Sequence, residues 1–319
     1  MSSANYKRYA VIDIGTNSAI LLVCDVNHRT QEYDVILDTA EITRLGQGLY
    51  PTRCLQPSSI DRTCAVIRRY LRQAENLDVE QTVIVGTHAL RVAENAYRFI
   101  NLVQDEFGLD VEVISAQTEA HFSYISVKED QTFQSSKTRK LMVIDIGGGS
   151  TEQVFFDSEL ICRSVPFGIV SITDRFVKND PPTDQEIRGI EAFIEETLVS
   201  QGWTTQSQVP VLLVGIGGTI VNLAAVESEL IELDLSVVHG QVLDRRQILN
   251  RIDLFRSLTI DALRRVPGLE VKRAEVILAG TLILRGLMNY IGVDQIHVST
   301  RGIRYGVMTD RFLSGGADF

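Results

Sequence analysis

The feature that most constrains this chain is an eight-residue pattern that occurs twice. Residues 11–18 read VIDIGTNS and residues 143–150 read VIDIGGGS, so six of the eight positions are identical. In each copy an apolar run rich in β-branched residues ends in one aspartate and is followed by a loop of small residues. Such a run, bounded by glycine, predicts a buried strand. A chain that carries the unit twice is expected to contain a duplicated α/β domain.

The loop after each predicted strand has the composition of a phosphate-binding loop. Glycines let backbone N–H groups converge on an anion, and hydroxyl side chains add donors. The aspartate at each strand end is placed to hold Mg²⁺ or a metal-bound water beside that anion. The predicted phosphate-binding residues are Asp13, Gly15, Thr16, Asn17, Ser18, Asp145, Gly147, Gly148, Gly149 and Ser150. Aspartate also caps tight turns, but the duplication favours contact with a ligand, gripped in a cleft from both sides.

The bulk composition is that of an ordinary globular protein. The chain has 319 residues, enough for two domains, with 45% hydrophobic and 23% charged residues. Its formal charge of −10 argues against nucleic acid as a partner. No apolar run approaches the roughly 20 residues of a membrane helix. The four cysteines show no CxxC spacing and the N-terminus shows no signal-peptide pattern, so we expect a cytoplasmic protein.

Periodicity and turn residues predict the order of strands and helices along the chain. Thr183 and Glu186 predict a capping box at the start of a helix over residues 184–200. The polar stretch 128–140 predicts a junction between halves. Helices are further predicted over residues 58–77 and most of 247–291, interrupted at 267–268. The predicted strands are residues 9–14, 20–26, 33–37, 82–86, 111–114, 141–146, 153–156, 160–165, 211–215 and 295–298.

Two other kinds of site are disfavoured by their motifs. A dinucleotide fold would need a third glycine where Ile220 stands in Gly215–Ile220, and no GxxxxGK[ST] motif occurs. The five histidines lack zinc spacing. His88 and His121 lie next to motif residues, but a structural role is the better interpretation for both.

Four segments together resemble one family: residues 13–18 (DIGTNS), 86–91 (GTHALR), 143–152 (VIDIGGGSTE) and 273–280 (RAEVILAG). They are similar to the exopolyphosphatase / guanosine pentaphosphate phosphatase (Ppx/GppA) family, within the actin–hexokinase–heat-shock ATPase superfamily. The resemblance runs from about residue 9 to about residue 311. It implies an α/β fold of two actin-like (ribonuclease H-like) domains with mixed sheets flanking a central cleft. The implied domains are residues 1–125 and 126–319, with the C-terminal helix packing back on the first.

The resemblance also implies roles for individual residues. Glu119 matches the catalytic glutamate that handles the attacking water, and Arg91 matches an arginine that contacts phosphate. Glu152 is a further carboxylate near the metal, which is Mg²⁺ or Mn²⁺ bound by Asp145, Glu152 and Asp13. A third loop, near a nucleotide base or the next phosphates, is formed by Gly217, Gly218 and Thr219. By spacing alone, Glu119 is better interpreted as a helix N-terminal acid, and only the resemblance reverses this. Arg91 has the alternative of an exposed helix residue, and the glycines have that of close helix–strand packing.

The implied activity is removal of the terminal phosphate from inorganic polyphosphate, guanosine pentaphosphate (pppGpp) or both, by a homodimer. Two alternatives stay open: a (p)ppGpp-binding regulatory protein with little turnover, and a phosphotransferase or ATPase of the same superfamily. The sequence differs from the family pattern at Thr118, Thr300 and Tyr305, where the family usually has acids. Larger relatives carry an additional C-terminal helical domain, which this chain is expected to lack.

Overall fold

The structure, a computed structural model, describes residues 6–134, 139–203 and 211–313. Residues 135–138, within the predicted junction, lie outside this description. Contacts between Cα atoms divide the chain into two compact units. Unit 1 comprises Met1–Ser126 together with Ile303–Phe319, and unit 2 comprises Val127–Gly302.

Unit 1 is built on a five-stranded mixed sheet. The strands are β1 (Tyr6–Ile14), β2 (Ser18–Asn27), β3 (Glu32–Ile42), β4 (Gln81–Gly86) and β5 (Val111–Val113), in the order β3-β2-β1-β4-β5. The first three strands are antiparallel, and β4 and β5 run parallel to β1. The carboxyl ends of β1, β4 and β5 therefore meet at one edge of the sheet.

Helices cover both faces of this sheet. They are α1 (Leu49–Thr52), α2 (Pro57–Asn76), α3 (His88–Val92), α4 (Ala96–Phe107) and α5 (Ala116–Lys128). Ile12 packs in a core with residues of α2 and α4. Val11 packs in a separate core on the other face, with Phe122 of α5. The strand alternation thus buries both faces of β1, which explains its unbroken apolar run.

Unit 2 contains a six-stranded mixed sheet with the order β10-β11-β9-β6-β7-β8. Its strands are β6 (Lys140–Ile146), β7 (Thr151–Phe156), β8 (Leu160–Val165), β9 (Val211–Ile216), β10 (Val242–Asp244) and β11 (Gln295–Val298). Its helices are α6 (Ile169–Phe176), α7 (Asp184–Ser200), α8 (Gly218–Glu227), α9 (Leu235–Val238), α10 (Arg245–Ser257), α11 (Ile260–Leu263) and α12 (Ile277–Ile291). The capping box of Thr183 and Glu186 is confirmed at the start of α7.

The last helix, α13 (Ile303–Met308), returns to unit 1 and is followed by a π-helical turn, Thr309–Leu313. It packs against β1 and β2. At Gly306 the helix approaches α5 so closely that an added Cβ would lie 2.1 Å from the carbonyl oxygen of Phe122. Phe312 stacks on Tyr9 of β1 at 4.1 Å between ring centroids. The terminal segment therefore completes the core of unit 1.

The two sheets repeat the same connectivity. Strands β8-β7-β6-β9-β11 correspond in order and direction to β3-β2-β1-β4-β5, and β10 is added at the edge. The Ile114 N–H donates to the Gly86 carbonyl at 3.0 Å, and the Ser299 N–H donates to the Gly215 carbonyl at 2.9 Å. The predicted duplicated α/β fold with mixed sheets is confirmed. Within the described residues, no helix has the length and apolar character needed to cross a membrane.

Candidate active site

The first loop is a tight turn between β1 and β2. The Gly15 N–H donates to the Ser18 carbonyl at 2.9 Å, and a Cβ at Gly15 would lie only 3.1 Å from that oxygen. The carbonyl of Thr16 accepts from the Gly46 N–H, and that of Asn17 from the Thr43 N–H. The backbone of the loop is therefore fixed from outside, and Ser18 opens β2, half-buried.

Two side chains of this loop are buried without a hydrogen-bond partner among the described residues. Thr16 and Asn17 are 5% and 6% exposed, and neither the Thr16 hydroxyl nor the Asn17 amide nitrogen has a hydrogen-bond partner among the described residues. Leaving such a group unmatched costs about 1–3 kcal/mol. Both groups can donate a hydrogen bond, so the loop suits an anion with several acceptor oxygens.

The second loop makes the same turn between β6 and β7. The Gly147 N–H donates to the Ser150 carbonyl at 3.0 Å, the equivalent of the Gly15 bond. Three N–H groups at the start of α6 donate to the carbonyls of Gly147 and Gly148. A Cβ at Gly168 would lie 2.3 Å from the Gly147 carbonyl oxygen, so only glycine permits this approach. The loop, which also contains Gly149, is thus braced by α6.

Asp145 and Glu152 form a carboxylate pair in unit 2. They are directly opposite each other across β6 and β7, and both are buried. The Ser164 hydroxyl donates to Glu152 at 2.9 Å. Among the described residues no group of three metal-ligating side chains is found. Mg²⁺, however, usually takes one or two carboxylates and completes its shell with water and substrate phosphate, so this pair fits such an ion.

The third loop adjoins the second at the parallel β6–β9 pair. Gly217 has φ of 91°, and a Cβ there would lie 3.1 Å from Asp145 Oδ1. Gly218 lies against the guanidinium of Arg273, and Thr219 lies against Gly280. Arg273 is buried and donates to Glu270 at 2.8 Å. Arg273 is not among the predicted site residues, although it begins one of the four motif segments.

In unit 1, Arg91 and Glu119 form an ion pair. Arg91, in α3, donates from Nη1 to Glu119 Oε2 at 2.5 Å and to the Ile114 carbonyl at 3.0 Å. Glu119, in the first turn of α5, is only 6% exposed. Burial raises the pKa of Glu119, and the charge and hydrogen bond of Arg91 oppose that rise. Burial and Arg91 also lower the pKa of His88 to about 4, so His88 is neutral near pH 7.

Backbone hydrogen bonds bring these elements together at the carboxyl edge of the first sheet. The Thr87 N–H, before α3, donates to the carbonyl of Ile14 at 3.1 Å. Asp13 precedes Ile14 at the end of β1 and is 7% exposed. In unit 1, Asp13 and its loop therefore lie at the carboxyl edge of the sheet. Arg91 of α3 and Glu119 of α5 lie at the same edge. Unit 2 places Asp145, Glu152 and the other two loops at the corresponding edge of its sheet.

This arrangement agrees with comparison to known proteins. The sequence matches the model of the Ppx/GppA phosphatase family over residues 24–314. The chain belongs to the Ppx/GppA phosphatase family. A solved structure of the Aquifex aeolicus Ppx/GppA family member is 34% identical, covers 98% of this chain and 100% of its own, and superposes with a TM-score of 0.78.

Curated relatives of this Ppx/GppA chain carry two names. Exopolyphosphatase 2 of Mycobacterium tuberculosis is 29% identical over 94% of this chain and 97% of its own length. A guanosine-5'-triphosphate,3'-diphosphate pyrophosphatase of Aliivibrio fischeri is 26% identical over 96% of this chain but only 59% of its own length. An exopolyphosphatase structure from Cytophaga hutchinsonii shares the fold, with a TM-score of 0.86 at 22% identity. As a Ppx/GppA member the chain is a phosphohydrolase, and its fold is of the actin-like type.

Proposed function

We propose that this protein removes the terminal phosphate from inorganic polyphosphate, pppGpp or both, and that Glu119 orients the attacking water. The observation that carries the proposal is the buried Glu119–Arg91 pair at the sheet edge that also bears the first phosphate loop. The names of the two relatives support these substrates.

Hydrolysis of a phosphoanhydride requires charge neutralisation and a positioned water. The net charge of −10 attracts no polyanion, so the attraction has to be local. The donors of Thr16 and Asn17, the glycine-rich backbone of both loops and Arg273 beside Gly218 supply it. Within each unit, hydrogen bonds hold these groups before substrate binds, which is the condition for stabilising charge in a transition state.

Glu119 has the properties of a group that accepts a proton from water. A base acts best when its pKa lies near the working pH, and burial shifts the pKa of Glu119 upward, in that direction. Arg91 holds the Oε2 oxygen, which fixes the orientation of the carboxylate. The other oxygen is then the one that we assign to the water.

We propose Mg²⁺ or Mn²⁺ as the cofactor, held by Asp145 and Glu152 with a further contribution from Asp13. When bound, the ion neutralises charge on the phosphate oxygens. Without it, two buried carboxylates on opposed strands repel each other, so this position favours a cation.

A cytoplasmic homodimer is part of the same proposal, and its oligomeric state is measured by sedimentation.

The test is Mg²⁺-dependent phosphate release from short polyphosphate, long polyphosphate, pppGpp and ATP. Wild type is compared with Glu119→Gln, which removes the base while keeping the shape. A positioned base contributes about 10²–10⁴-fold, so kcat should fall by that factor with little change in KM. The matched control is Glu112→Gln, an exposed glutamate of unit 1 that also pairs with an arginine, Arg311, at 2.8 Å.

Each alternative function has its own outcome. Binding of pppGpp without release by wild type would favour a regulatory protein. Transfer of phosphate to an added acceptor without free phosphate would favour a phosphotransferase. Equal losses in Glu119→Gln and Glu112→Gln would remove Glu119 from the proposed mechanism.

A further inference from the structure

A buried ionic cluster lies in unit 1 outside the predicted site residues. Arg304, in α13, is 6% exposed and donates to both oxygens of Asp38, from Nε at 2.8 Å and from Nη2 at 2.7 Å. The Tyr305 hydroxyl donates to the same carboxylate at 2.8 Å. Because burying an ion pair costs several kcal/mol per ion in desolvation, hydrophobic side chains would serve stability equally well. The cluster therefore calls for a role other than packing.

Strand register places this cluster on the face of the sheet that carries Asp13. Asp38 of β3 is aligned, through Leu22 of β2, with Val11 of β1. Asp13 is two residues beyond Val11, and side chains two apart on a strand share a face. Val11 and Leu22 pack in the core that contains Tyr305. Asp38 and Asp13 therefore project from the same face, two strands apart, toward α13.

The charge of Arg304 acts on both carboxylates. Burial lowers the pKa of Arg304, but Asp38 and then Tyr305 and Asp13 raise it, and the net change is upward. The guanidinium thus stays charged, bonded to Asp38 and under the electrostatic influence of Asp13. With Asp38 holding one edge in a bidentate bond, the position of this charge relative to Asp13 is fixed.

We propose that Arg304, held by Asp38 and Tyr305, is a positioning residue that fixes the carboxylate of Asp13 at the first phosphate loop. This rests on the proposed function in that Asp13 is taken to serve phosphate or metal binding. The sequence places tyrosine at 305 where the family pattern has glutamate, and the hydroxyl adds a donor to Asp38 instead of a third acid.

The coupling itself is tested without any assay of activity. Urea unfolding is measured for wild type, Asp13→Asn, Arg304→Met and the double variant. The unfolding free energies of the two single changes should not add, because each removes one partner of the same interaction. Additive effects would overturn the proposal. If Arg304→Met does not fold, Arg304→Gln, which removes the charge and keeps a polar side chain, takes its place in the cycle.

Kinetics test the consequence for turnover. Asp38→Asn and Tyr305→Phe weaken the support of Arg304 and leave the residues of the loops unchanged. We therefore expect kcat to fall about 10–100-fold for Asp38→Asn and less for Tyr305→Phe, while KM changes less than twofold. Arg311→Met, an exposed arginine of the same terminal segment, is the control. Loss of activity in Asp13→Asn with full kcat in Asp38→Asn would overturn the positioning role and leave the proposed function standing. No turnover by wild type would remove the proposed function, and the unfolding cycle would still decide the inference.

Discussion

Glu152 faces Asp145 across β6 and β7, whereas Ile20 faces Asp13 at the equivalent register of β1 and β2. The duplicated hairpins therefore differ at one position that bears on chemistry. Only the second hairpin pairs two carboxylates, so we assign the main metal contacts to unit 2.

Glu152→Gln should raise the Mg²⁺ concentration needed for half-maximal phosphate release by about 10–100-fold, because it removes one of two charges at the cation. The measurement is a Mg²⁺ titration of initial rate. Ser164→Ala, which removes only the hydrogen bond to Glu152, should shift the same titration in the same direction by less. An unchanged Mg²⁺ requirement in Glu152→Gln would contradict the assignment.

Thr16→Val should stabilise the protein while weakening catalysis. The valine keeps the shape of threonine and replaces a buried hydroxyl that has no partner within the described residues, so the free energy of unfolding should rise by about 1 kcal/mol. The lost donor should lower kcat/KM. The control is Thr43→Val, because the Thr43 hydroxyl is likewise buried and unmatched among the described residues but lies outside the loop. Thr43→Val should gain stability and keep the kcat/KM of wild type. If Thr16→Val and Thr43→Val have equal kcat/KM, phosphate contact by Thr16 is ruled out.

Gly168→Ala should displace the second phosphate loop. The added methyl would meet the Gly147 carbonyl oxygen and the backbone of Gly148, which are not free to rotate away. We expect a loss of about 1–3 kcal/mol in stability and a fall in kcat/KM. Gly189→Ala is the matched change in α7, where the nearest atom is 3.7 Å away, and it should stabilise by about 0.5–1 kcal/mol. Thermal unfolding and phosphate release together distinguish the two.

His88 should make stability depend on pH below neutrality. Its pKa is about 4 in the folded protein and about 6.5 when unfolded, so between these values only the unfolded chain takes up the proton. Stability from this source is present above pH 6.5 and is lost as the pH falls toward 4, by about 3 kcal/mol at most. Urea unfolding of wild type and His88→Gln from pH 4 to pH 7 measures the difference. Parallel curves would show that His88 is not buried in its neutral form.

Local signals predicted much of the fold. The helix over 184–200 has the predicted bounds because its capping box lies within four residues, and the strand over 295–298 also matches. Five helices and the edge strand β10 were not predicted; the helices are α1, α3, α4, α6 and α9. The start of α6 is set by hydrogen bonds to Gly147 and Gly148, about twenty residues away, and β10 has only three residues.

The same limit applies to the candidate site. Duplication revealed both aspartate–glycine loops, because the signal lies within eight residues. The contact between Arg304 and Asp38 joins positions 266 residues apart, and no spacing rule relates them. Arg273 lies on Gly218 only because α8 and the segment that leads into α12 are neighbours in the folded unit.

Because the chain returns to unit 1 after unit 2, part of the core of unit 1 is synthesised last. Tyr305, Val307 and Phe312 belong to a core whose other members include Tyr9 and Val11. The ribosome releases that last part of the core after every residue of unit 2. Unit 2 is therefore able to fold during translation, while one face of the first sheet is covered only in part, by α5, until the end. Nascent chains that end near residue 300, followed by a linker long enough to clear the ribosome tunnel, should expose part of that apolar face to chaperones, and chains that end past residue 313 with the same linker should not.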